Sequence, residues 1–185
     1  MPAFYLTLIA VLLAGFGARD QITIASLSAR QGQRPGVLLA ALLSAGLTAA
    51  AAAWAAGFML AQLPPPARAI FAGIALALAG LESLVLVPRR RLSEPTNSLG
   101  ALLLVLLASQ ITDAARFLIL GMGVGMAAPI ASGAAGAVGG AILAGAAWAA
   151  PQILDGTAAR WTRRIVGGVL VAAALILFLR EFSIL

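Results

Sequence analysis

The chain has 185 residues, 62% of them hydrophobic and only 10% charged, and all twelve of its basic residues are arginine, giving a formal net charge of +6. A soluble domain carries roughly a quarter of its residues as Asp, Glu, Lys or Arg, so this composition belongs to a chain that buries its surface in hydrocarbon. The absence of Cys and His excludes disulfides, thiol and imidazole chemistry, haem ligation and Cys/His zinc sites.

Apolar runs long enough to cross ~30 Å of hydrocarbon occur six times, over 3–28, 37–63, 67–87, 98–122, 130–154 and 165–182. The first has no basic residue ahead of it and is expected to be a retained helix rather than a cleaved leader. It contains Gly15 and Gly17, then Arg19 and Asp20 side by side, and "RQGQRPG" (30–36) ends it. The second is dense in Ala, carries Trp54 and stops at "LPPPAR" (63–68). The third contains Glu82 and leads to "PRRRLSEPTN" (88–97). The fourth carries "SQITDAAR" (109–116), a second acid and arginine inside an apolar run, and ends at "GMGVGMAAP" (121–129). In the fifth, Gly136 and Gly140 form a small-xxx-small pair suited to close helix packing, and Trp148 matches Trp54 in position. The sixth follows "DGTAARWTRR" (155–164).

Arginine is distributed unevenly over the connections. Arg30, Arg34, Arg89, Arg90, Arg91, Arg160, Arg163 and Arg164 fall on the first, third and fifth, against Arg68 and Arg180 on the other side. Arginine in a membrane protein marks the cytoplasmic face, so the charge reads as topogenic rather than as a nucleic-acid surface, and both termini are expected outside. Arg89–Arg91 could also meet anionic headgroups. Trp161, beside Arg160, Arg163 and Arg164, reads as an interfacial anchor. Glu82, six residues from Pro88, is read either as a proton relay or as a carboxylate reaching interfacial water or Arg89–Arg91.

The expected fold is an all-α integral membrane protein of six transmembrane helices in two inverted three-helix repeats. It forms one transmembrane domain over 1–185, with repeats 1–87 and 98–185 joined by a cytoplasmic linker, 88–97. Three spans per half make the second half enter the bilayer upside down, a plan common among secondary transporters with a midplane site. Asp20 and Asp113 fall at equivalent depths in the first span of each half. Ionisable groups at that depth face the protein interior or water, and mark function by default. Thr23 shares a helix face with Asp20, and Gln110 and Arg116 lie three residues either side of Asp113.

This layout resembles the Gdt-type cation/proton exchangers, which include the Golgi manganese and calcium transporters and their bacterial relatives in the lysine-exporter superfamily. Their motif, Glu-x-Gly-Asp-(Lys/Arg)-(Thr/Ser), falls here on 17–22 and 110–115. In each copy only the aspartate, Asp20 or Asp113, matches, with Gln110 a neutral isostere of a lost Glu. The resemblance implies a small cation/proton exchanger in a bacterial inner membrane. Asp20 and Asp113 would bind the ion, proton or metal, Gln110, Thr23 and Thr112 would supply neutral oxygens, and the cargo would be a divalent cation such as manganese or calcium. No bound cofactor is expected.

Charge qualifies that expectation. A family motif pair sums to −2, whereas here Arg19 and Arg116, read as counter-ions, offset Asp20 and Asp113. Hard divalent cations prefer several carboxylate oxygens. The rival readings are therefore a transport-inactive scaffold or regulatory membrane protein with a charge-neutralised site, and an exporter of a small organic solute whose carboxylate meets Arg19 or Arg116. No nucleophile–base pair is visible, so no enzyme is expected. The expected partners are the lipid bilayer and the transported ion or solute, without nucleic acid, and a homodimer is left open.

Overall fold

The computed structural model describes residues 2–86, 98–154 and 157–184; the linker 88–97, with Arg89–Arg91, lies outside the described residues. Their regular structure is entirely helical: α1 (Pro2–Gly15), α2 (Arg19–Gln31), α3 (Pro35–Gln62), α4 (Pro65–Val85), α5 (Leu99–Ile111), α6 (Ala114–Gly125), α7 (Pro129–Ala149), a short 3-10 turn (Pro151–Leu154) and α8 (Thr157–Glu181). Proline opens α3, α4 and α7, where its missing N–H leaves no helical bond unmade. Ser98 caps α5 by accepting from the Ala101 N–H at 3.3 Å.

Four helices, α3, α4, α7 and α8, are long and apolar enough to cross a membrane, or six spans if α1–α2 and α5–α6 each count as one. The surface agrees with that setting. On α3 the inward stripe is Ala41, Ser44, Ala45, Thr48 and Ala49, while Leu39, Leu43, Leu47 and Trp54 face outward. On this helix small residues face inward and large apolar ones outward, the arrangement lipid favours, because close backbone packing rather than water exclusion joins helices there.

The expected first and fourth spans are corrected: neither is one helix. α1 and α2 meet at 59° across Phe16–Ala18, and α5 and α6 meet at 54° across Thr112–Asp113. Gly17 takes φ +75°, and a Cβ there would stand 3.1 Å from that of Ala159 on α8, so both conformation and space favour glycine. The second break has no glycine. Asp113 sits at the N-cap of α6 in extended conformation, and its carbonyl accepts from the Arg116 and Phe117 N–H groups. The sixth span is corrected too, since α8 begins at Thr157 and takes in Arg160, Arg163 and Arg164.

Neighbour contacts give the helix directions. Gly133 lies against Ala53 and Gly140 against Ala45, so α3 and α7 are antiparallel. Gly73 lies against Phe178 and Gly80 against Gly167, so α4 and α8 are antiparallel as well. α1 runs parallel to α7, with Val11 on Gly139 and the Thr7 hydroxyl 3.2 Å from that of Ser132. Both breaks lie level with Thr48, half-way along α3, yet only about one turn from the end of α4 at Glu82.

Candidate functional site

The two breaks point the N-termini of α2 and α6 into the interior, and each places a carboxylate there: Asp20 in the first turn of α2, Asp113 at the N-cap of α6. A helix N-terminus carries a partial positive charge, which favours an anion at that position. Asp20 Oδ1 accepts from the Gln21 N–H at 2.7 Å, and Oδ2 accepts from Gln110 Nε2 at 2.7 Å. Asp20 thus turns to the other half of the chain rather than to its neighbour Arg19.

From Gln110 the chain of contacts continues across the interior. Gln110 Oε1 lies 3.0 Å from the Thr48 hydroxyl, which also stands 2.8 Å from the Ser44 carbonyl; its single proton serves one acceptor at a time. The Thr48 hydroxyl oxygen accepts from Arg116 Nε at 2.9 Å and Nη2 at 2.7 Å. Arg116 Nη1 faces Asp113 Oδ2 at 3.4 Å, so this expected counter-ion pairing is present, at long range. Asp113 Oδ1 is buried without a hydrogen-bond partner among the described residues. Asp20, Asp113, Arg116 and Gln21 line one small enclosed cavity of about 10 Å³, close to the minimum for one water molecule.

A second branch starts at Arg19. Its Nη2 donates to the Thr112 hydroxyl at 3.0 Å and to the Thr112 carbonyl at 3.2 Å, and its Nε lies 3.7 Å from Glu82 Oε1. Glu82 Oε2 closes on Arg163 Nη2 at 2.7 Å, and Arg163 Nη1 donates to the Ala14 carbonyl at 3.3 Å, at the end of α1. Arg19 as counter-ion of Asp20 is therefore corrected: its carboxylate partner is Glu82. Glu82 itself is buried and bridges Arg19 to Arg163, while Arg89–Arg91, its other expected partners, lie outside the described residues. Arg163 is no loop residue; it is 2% exposed.

The neutral oxygens divide. Gln110 joins the network, and Thr112 holds Arg19. Thr23 donates its hydroxyl to the Arg19 carbonyl one turn back at 2.9 Å, a bond within its own helix. Among the described residues no group of three or more acids is gathered as a metal cage, and the metal reading of Asp20 and Asp113 rests on those two carboxylates alone. Within the network Asp20, Glu82 and Asp113 face Arg19, Arg116 and Arg163, three charges against three.

Two participants, Thr48 and Arg163, lie outside the expected site. Thr48 is the only polar residue between Ala45 and Gly57, and that isolation in an alanine run was a usable sign. Arg163 shares a helical stripe with Ala159, Gly167, Leu170 and Ala174, all buried, a spacing legible in the sequence once the helix is started early enough.

Compared with known protein families, with curated proteins and with solved structures, the chain finds no match.

Proposed function

We propose that this chain is a small secondary transporter of a bacterial inner membrane, built as two inverted three-span repeats with both termini outside, which holds a coupling proton or a small cation between Asp20 and Asp113. The observation that carries the reading is that the first span of each half is broken, and that both breaks bring their aspartate to one cavity. Broken helices meeting at depth are the means by which many transporters offer charge and backbone groups to an ion. The repeat is supported by the helix order, α1–α2, α3, α4 against α5–α6, α7, α8, and by the antiparallel packing of the corresponding members α3 with α7 and α4 with α8.

Charge balance shapes the cargo. With three guanidinium groups against three carboxylates, a divalent ion such as manganese or calcium would find no net negative site, whereas a proton or monovalent cation needs to disturb only one pair. The orphaned Asp113 Oδ1 and the loose Asp113–Arg116 pair make that half of the network the place to exchange an ion.

The test is reconstitution in proteoliposomes with an imposed pH gradient and a panel of cations and small organic acids. Proton-coupled flux that Asp20→Asn and Asp113→Asn each abolish is the expected result. Flux indifferent to both substitutions would remove the aspartates from the mechanism. No proton movement or uptake across the panel would favour the second reading, a transport-inactive scaffold, which the same charge balance supports.

A further inference from the structure

The first two turns of α8 carry a feature that the aspartate network does not use. Thr157, Arg160, Trp161 and Arg164, spaced i, i+3, i+4 and i+7, line a cleft of about 180 Å³ along one helix face. The Arg164 guanidinium lies 6.0 Å from the centroid of the Trp161 ring, within cation–π range. Arg160 and Arg164 form no ion pair among the described residues, in contrast to Arg163 between them, which turns inward to Glu82. The face above the cleft changes character at once: Ile165 and Val169, four and eight residues beyond Trp161, are both exposed. Two guanidinium groups without an ion pair among the described residues, an aromatic ring and an apolar track continuing along the same face form one surface.

We infer that this cleft binds the phosphate of an anionic phospholipid, with Arg160 and Arg164 on the headgroup, Trp161 at the glycerol level and an acyl chain along Ile165 and Val169. A dissolved phosphate would satisfy the arginines but leave the apolar track unused, which is why the membrane lipid is the occupant. Guanidinium provides planar paired donors suited to phosphate, and each arginine near an anionic membrane surface strengthens association by about fivefold.

The test uses Trp161 as its own reporter. In a chain carrying Trp54→Phe and Trp148→Phe, vesicles with brominated phosphatidylglycerol should quench Trp161 more strongly than vesicles with brominated phosphatidylcholine at equal mole fraction. Arg160→Gln and Arg164→Gln should each lower that preference by about fivefold, whereas Arg34→Gln, which removes an exposed arginine outside the cleft, should lower it by clearly less. Equal quenching by the two lipids would overturn the site. So would a loss with Arg34→Gln as large as with Arg160→Gln, which would reduce the effect to general surface charge. Abolition of the preference by millimolar inorganic phosphate would assign the cleft to a soluble anion instead. Should the double tryptophan substitution disturb insertion, native mass spectrometry of the otherwise unchanged chain with the same two lipids and the same arginine variants reads the same preference.

Discussion

The two helix breaks do the same thing by different means. At Phe16–Ala18 the chain turns through a glycine of positive φ, and the Gly17 N–H that the turn frees donates to Gln21 Oε1 at 2.6 Å. At Thr112–Asp113 no residue of special conformation is used; Asp113 stands in extended geometry at the cap position while its side chain faces Arg116 instead of capping. The first break is therefore fixed locally, by a residue type and its own helix. The second is fixed from outside, by Arg19 holding the Thr112 carbonyl and hydroxyl and by Thr48 holding Arg116. A bend stored in one residue and a bend stored in its partners should respond differently to substitution.

The largest effect is expected below both breaks, where Glu82 joins them. Glu82→Gln leaves Arg163, 2% exposed, without its carboxylate; losing one member of a buried pair costs about 3–5 kcal/mol, which thermal unfolding in detergent would read. Combining it with Arg163→Gln should recover a large part of that loss, and a double variant as unstable as the two single losses added together would show that the pair is not coupled.

Next come the breaks themselves. Thr48→Val strips a buried oxygen that serves both Gln110 and Arg116, and should cost about 1–3 kcal/mol by the same measurement. Gly17→Ala imposes a left-handed conformation on alanine and crowds Ala159, for about 1–2 kcal/mol. Thr112→Ala removes one hydroxyl while leaving the carbonyl for Arg19, so about 0.5–1.5 kcal/mol is expected. A Gly17→Ala variant as stable as the parent would refute the locally stored bend.

The smallest effect belongs to Thr23→Ala. Its hydroxyl bonds only the preceding turn, so unfolding and proton-coupled flux should both stay within experimental scatter of the parent. A clear loss of flux would restore Thr23 to the site.

How much of this was legible in the sequence follows from the kind of signal each feature leaves. Charge in an apolar run is conspicuous, so Asp20, Asp113, Arg19, Arg116 and Glu82 all stand out as candidates. Of their pairings only Asp113 with Arg116, three residues apart, is visible in sequence, because partners on different helices leave no spacing to read: Arg19 and Glu82 are separated by 63 positions. The break at Gly17 left a glycine as its trace, whereas the break at Thr112 left none, since its cause lies on α2 and α3. The start of α8 is hidden for a different reason. Three arginines in five positions look like a connection, although Ala159, Arg163 and Gly167 already repeat every fourth residue as an inward face.

The seam between α4 and α8 has a mechanical consequence. A methyl group on Gly80 would stand 2.8 Å from the Gly167 carbonyl, and one on Gly167 would stand 2.9 Å from the Gly80 carbonyl. Backbones in such direct contact cannot slide by a residue without driving side chains into main chain, so these two helices move as a single strut. The proposed transport would then leave this pair in register and fall to the bends at Phe16–Ala18 and Thr112–Asp113.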